Sequence, residues 1–263
     1  MLPAADMGLF DFLKRGSTPP PADDRAGASK QPANKKIAGL AKVVADKRAQ
    51  PYDRADAIRD LAAMKTPEAA EALLKRFTFS IDPSITDQEE KESAFDGVVA
   101  VGRPVVEPVR QFCQKAEVLT WPLRILHAIL DDEEYRDELL RLAESFDTEY
   151  SRNVEPKLQV VSALADVKGD DIHVALERFL DDANETVRFH AVQSTFAQSK
   201  KESVDPLLSL LCAEESVRIK NKISDGFVLK GWKAPEASLA KVKKAMVDVD
   251  DYVVGADGAF ARR

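Results

Sequence analysis

The 263 residues carry 38 Lys/Arg and 45 Asp/Glu, a formal charge of −7, with 44% apolar and 32% charged side chains. Such a length suits one elongated repeat domain or two small ones, and the acidic balance excludes a general nucleic-acid binder, which needs a basic face to neutralise phosphate. Two cysteines supply no disulfide framework and fit a reducing cytoplasm, no run approaches the roughly 18 apolar residues of a membrane span, and the N-terminal residues lack the pattern of a signal peptide.

Residues 1–36 read as a disordered arm. At its tip Leu9, Phe10, Phe12 and Leu13 form an apolar cluster, too short for a stable helix in water. Residues 16–36 contain no Val, Ile, Leu, Met or aromatic side chain, so nothing offsets the entropy of ordering them. As a flexible linker they would let the tip search roughly 25 Å. Phe10 and Phe12 are candidate contact residues of a tethered docking peptide, aimed at a partner or at the chain's own helices. Contact of residues 9–13 with a membrane is the weaker alternative, because four apolar side chains and two cations bind lipid only marginally. The arm holds six basic and four acidic residues, which leaves −9 on the remainder.

Helical periodicity begins at Ile37, with Leu40, Ala41 and Val44 completing an apolar stripe that Pro51 is expected to end. Ala57, Ile58, Leu61 and Ala62 form the next stripe. Thr66-Pro67 supplies an N-cap and a first-turn proline for a third helix. Thr78–Ile85 interrupts the pattern; Phe77, Phe79 and Ile81 would form an ordered lip there or simply a capping loop, and Thr86 with Glu89 has the spacing of a capping box. Gly102 and Pro104 read as a helix end and a new start, and Asp131–Glu134 as an acidic helix N-terminus. At the far end, Asp257-Gly258 between two β-prone runs signals a small hairpin, the alternative being a frayed tail. The divisions are thus 1–36, 37–250 and 251–263.

The helix pair recurs. ETVRFHAV from Glu185 returns as ESVRIKNK from Glu215, and Arg54, Lys91, Arg124, Lys157, Arg188 and Arg218 align at intervals of 37, 33, 33, 31 and 30. Self-similarity at this period is the signature of a helical solenoid, in which stacked neighbours bury stripes that no pair could bury alone. The stretch LDDANETVRFHAVQSTFAQSKKESVDPLLSLL resembles a HEAT repeat of the phycobilisome-lyase-like type through Asp182, Val187, Arg188, Ala191, Val192, Val204, Leu207, Leu208 and Leu211. The resemblance covers about residues 50–246. Together these readings imply an all-α fold, a right-handed solenoid of about six helix pairs. In such a stack Asp182, Arg188 and Arg218 would form a structural ladder, each arginine reaching back to the preceding turn's Asp and carbonyls.

Catalytic patterns are missing from the sequence. The di-iron hydroxylases built on such repeats use His-Glu pairs, whereas His127, His173 and His190 precede Ala, Val and Ala. Gly97–Pro104 echoes a phosphate loop but puts Arg103 and Pro104 where Lys and Ser/Thr are required. Cys113 and Cys212 lie on apolar stripes and read as core thiols. The expectation is a cytoplasmic, non-enzymatic scaffold or adaptor without metal or cofactor, whose partner is another protein and not nucleic acid. The alternative is a lyase- or modification-type accessory subunit acting on a chromoprotein. Second helices usually line the concave face of HEAT-like stacks, so Arg110, Gln114, Arg136, Arg141, Glu177 and Arg178 are candidate partner-binding residues, and Trp121 and Tyr150 are candidates either for exposed anchors or for packing between repeats.

Overall fold

The structure, a computed structural model, describes residues 25–263, with side-chain surroundings from residue 34. Phe10, Phe12 and the rest of the arm's tip lie outside the described residues. Among those described, thirteen α-helices, four short 3-10 helices and one two-stranded hairpin make up the regular structure.

Helix α1 spans Arg25–Ala45, so it begins within the segment expected to be linker. It ends before Pro51, which instead opens α2 (Pro51–Met64), where its fixed φ and missing N–H are harmless. Thr66 caps α3 (Pro67–Leu74) by accepting from the Ala69 amide at 3.2 Å. Next comes α4 (Ser84–Val99), which starts before Thr86, so the expected Thr86–Glu89 box does not form. The Asp87 carboxylate takes the Ile81 amide at 3.1 Å and Arg76 Nη2 at 2.7 Å, and this lets the helix begin a half-turn early. Gly102, at φ 76°, turns the chain into α5 (Val106–Cys113).

Helices α6 (Thr120–Ile129) and α7 (Asp132–Glu144) follow, the latter opened by a capping box between Asp131 and Glu134. Then come α8 (Glu155–Ala163), α9 (Ile172–Glu177), α10 (Glu185–Gln198), α11 (Val204–Ala213), α12 (Val217–Lys230) and α13 (Glu236–Ala245). Strands β1 (Tyr252–Val254) and β2 (Phe260–Arg262) pair antiparallel, Val253 opposite Ala261. Gly258, at φ 80°, leaves no room for a Cβ against the Ala234 carbonyl, and its own carbonyl accepts from the Ala234 amide at 2.9 Å. Phe260 packs on Phe227 at 4.6 Å, so the hairpin is fastened to α12 and the loop after it.

Most helices contact the next element and also the next but one: α2 meets α4, α4 meets α6, α8 meets α10, α10 meets α12, α3 meets α5, α7 meets α9 and α11 meets α13. The core follows this sequence as one continuous set that includes Leu73, Val98, Leu126, Leu139, Val160, Leu176, Val192, Leu207, Ile223 and Val242, all fully buried. Each such side chain contributes about 1.5–3 kcal/mol on leaving water.

Ion pairs stitch the same elements together. Arg54 pairs with Glu90, Lys157 with Asp182 at 2.6 Å, Arg188 with Glu214 at 2.8 Å, and Lys220 with Asp248 at 2.8 Å. Every pair runs forward to an acid 25 to 36 residues later. Arg188 does reach back, but to the carbonyl of Asp182 at 2.9 Å and not to its carboxylate, which Lys157 and the Asn184 amide occupy. Arg218 does not pair forward as these do: its side chain is 56% exposed, lies over the Phe189 ring at 3.8 Å and comes within 3.9 Å of Glu185 behind it. Lys220 takes that place because helix start sets the phase. Arg188 is the fourth residue of α10 and Lys220 the fourth of α12.

Candidate functional site

Five of the six described positions expected to bind a partner already hold partners within the chain. Arg110 donates to Glu107 at 3.4 Å and to the buried Glu138 at 2.8 Å, and Arg141 pairs with the second oxygen of Glu138. Burial and the neighbouring Arg110 push the Arg141 guanidinium below its ordinary range. Arg136 pairs with Asp137 at 2.7 Å. Glu177 accepts from Ser203 Oγ at 2.7 Å, and Arg178 donates to the Phe146 carbonyl at 3.0 Å, so both tie α9 and its 3-10 extension to neighbouring segments. Gln114 is exposed at the end of α5.

Of the aromatic anchors, Tyr150 is exposed, whereas Trp121 is buried, stacked on Phe77 at 5.3 Å and covered by Arg124. Cys113 is buried, and burial pushes its thiol up to about 12, which suits a core thiol. Cys212 is exposed, contrary to expectation, because the buried stripe of α11 ends at Leu211 and Cys212 falls just past it in the last turn.

A surface concavity of about 700 Å³ lies elsewhere, between α2 and α4. Small residues shape it. A Cβ on Gly97 would fall 2.7 Å from Ala62 Cβ, so the two helices touch there, and Ala55 and Ala100 leave the trough open. Ile58 forms part of the floor. At one end Tyr52 is 68% exposed, and Ile85, 70% exposed, precedes the lining residue Thr86. The α4 rim carries Glu89 and Asp96; on the α2 rim, Arg59 pairs with Asp56. Carboxylates therefore prevail around an apolar floor.

Beneath this groove sits a buried ionic cluster. Glu90 accepts from Arg54 at 2.7 and 2.9 Å and from Arg76 at 2.7 Å. Arg76 also reaches Asp87 and the Phe79 carbonyl, and Lys91 joins Asp87 at 2.7 Å and Ser80 at 3.1 Å. Burial alone would raise the Asp87 carboxyl, but hydrogen bonds from Lys91, Arg76 and the Ile81 amide hold it below the ordinary carboxylate range. Three cations and two carboxylates thus clamp α2, α4 and residues 79–81 together, and they fix the groove's walls. The lip expected at Phe77–Ile81 belongs to this clamp: Phe77 is buried, and the Phe79 ring lies under Arg76 at 4.6 Å.

A second crease of about 410 Å³ lies among α6, α8 and α10, where Ser162 Oγ and His190 Nδ1 are 3.2 Å apart. Burial and Arg218 push the His190 imidazole below its ordinary pKa. The pair resembles a nucleophile and base, but the flanking amides of Leu164 and Ala165 are spent on the carbonyls of Val160 and Ser162. With those amides committed, the pair is read as a hydrogen bond between α8 and α10. Among the described residues no group of three His, Cys, Asp or Glu is placed to hold a metal, and no helix is long and apolar enough to cross a membrane.

Sequence reasoning passed over Tyr52 and Ile85. Their signal was present: both are large apolar residues off the buried stripes of their helices, which run through Ala57, Ile58 and Leu61 in α2 and Ala94, Gly97 and Val98 in α4.

In comparisons with known proteins, no family model and no curated relative matches the chain. Among solved structures, one described as the computational design of self-assembling cyclic protein homooligomers aligns over 87% of this chain and 75% of its own, at 15% identity and a TM-score of 0.17.

Proposed function

We propose that the chain is a HEAT-like, right-handed stack of helix pairs that binds a segment of another protein, with the α2/α4 groove as its seat. Recurrence of the basic rung at about thirty residues and the packing of each helix on its next-but-one neighbour support the architecture. One observation carries the binding role: Tyr52 and Ile85 expose large apolar surface beside a small-residue trough whose walls are held by a satisfied ionic cluster. Exposed aromatics at a preformed concavity are the usual anchors of a protein contact. The rim of Glu89 and Asp96 favours a segment with large apolar side chains and basic neighbours.

The test is a photo-crosslinking residue placed at Tyr52 and, as a control, at the exposed Val174 of α9. A discrete adduct in the native cell from position 52 alone, lost on adding Ala100→Arg, is the expected result. Equal adducts from both positions, or an adduct indifferent to Ala100→Arg, would remove the groove from the function.

A further inference from the structure

The groove asks for an occupant with closely spaced large apolar side chains and a cationic end. We propose that residues 9–15 of this same chain are that occupant, so the arm competes for the seat and holds it until a partner displaces it. This inference rests on the groove being a peptide seat, and it goes further by naming the ligand.

Three observations converge. The first is chemical. Leu9, Phe10, Phe12 and Leu13 put four large apolar side chains into five positions, and Lys14 and Arg15 follow directly. Tyr52, Ile85 and the alanine-lined trough match the former; Glu89 and Asp96 match the latter. Over a low-dielectric floor, complementary charge fixes the direction in which a segment lies.

Uniqueness is the second. Between this cluster and Ile37 the sequence offers no other large apolar residue, so register along the arm is unambiguous.

Reach is the third. Lys36 sits 3.6 Å from Asp60, while Arg54 reaches the Asp46 and Ala49 carbonyls, so α1 runs antiparallel to α2 and begins toward the Ala62 end of the groove. The eleven steps from Arg25 to Lys36 rise about 16 Å. Residues 16–24 span up to about 30 Å when extended at ~3.3 Å each, and about 17 Å as a flexible chain. The tip can therefore return along α1 to the groove. At that tether length the local concentration is on the order of millimolar.

The experiment uses the full chain and a fluorescent peptide of residues 7–16, followed by anisotropy. The peptide should bind the Phe10→Ser/Phe12→Ser chain at least ten-fold more tightly than the wild-type chain, whose tethered copy already fills the seat. Adding Ala100→Arg to the Ser variant should abolish that binding, with circular dichroism unchanged. Equal affinity for wild type and Ser variant overturns the proposal, as does binding that survives Ala100→Arg. A wild-type dimer in sedimentation that the Ser variant loses would place the arm on a second copy and overturn the intrachain form. Failure of the peptide to bind any variant, with the Tyr52 adduct intact, sinks this inference alone. Peptide competition without a cellular adduct leaves it standing and sinks the partner-binding role.

Discussion

Glu90 is the single side chain whose loss should most damage the N-terminal helices. It is 4% exposed and accepts three guanidinium hydrogen bonds, two from Arg54 and one from Arg76. Both arginines are themselves buried, at 1% and 0%. Glu90→Gln keeps the shape and removes the charge, so Asp87 becomes the one carboxylate facing Arg54, Arg76 and Lys91. Removing one partner from a buried ion pair costs about 3–5 kcal/mol, because the remaining charge is neither solvated nor paired. In a domain of this size each kcal/mol moves the melting temperature by about 2–4 °C, so Glu90→Gln should lower it by roughly 6–20 °C. Because Arg54, Arg76, Asp87 and Glu90 all lie within α2–α4, the loss should appear first in α1–α4, as an early step in urea unfolding followed by circular dichroism. Arg54→Met/Glu90→Met, which removes the pair together, should cost less than Glu90→Gln. A Glu90→Gln protein within about 0.5 kcal/mol of wild type would show that water already solvates these guanidiniums, and the clamp would not then be what shapes the groove.

Two further outcomes follow from the ladder and from its titration. Lys220→Ala, which abandons Asp248 and the Ala245 carbonyl, should destabilise by about 1–3 kcal/mol, whereas Arg218→Ala, at an exposed pair, should cost at most about 1 kcal/mol in the same urea titration; the reverse order would restore Arg218 to the ladder. Acid should act in two stages. His190 is depressed below 6.5 by burial, so the unfolded chain binds its proton first and stability declines as pH falls through that value. Asp87 and Glu214 are depressed below 3.8 and 4.5: burial would raise each, but Lys91 and Arg76 for the former, and Arg188 and the Ser216 amide for the latter, outweigh it. Their contribution is present above those values and disappears below them. A urea midpoint that stays flat from pH 7 to 3 would contradict both assignments, and His190→Asn should erase the first stage only.

Local chemistry made much of this protein legible in sequence order. Thr66-Pro67 states a helix start in two residues, Asp131 with Glu134 states another, and Asp257-Gly258 states the hairpin, because each needs only atoms a few positions apart. The stripes of α2, α10 and α11 likewise show which side of each helix avoids water. What periodicity does not state is which neighbour covers that side. Trp121 is sealed by Phe77 and Arg124, α4 begins at Ser84 because Asp87 is held by Arg76 eleven residues earlier, and the rung in α12 is Lys220 because that helix starts at Val217, two residues after Glu215, the counterpart of the Glu185 that starts α10. The groove depends on the same distant kind of contact. Ala62 and Gly97 are 35 residues apart, and only when α2 and α4 touch at that point do Tyr52 and Ile85 come to stand at the same end of one trough. Sequence by itself determined the helices, their apolar faces and the hairpin, since these follow from short-range hydrogen bonds and spacing. Tertiary structure alone decided which charges meet, which aromatics are covered and where the surface opens, since those depend on packing between residues far apart in the chain.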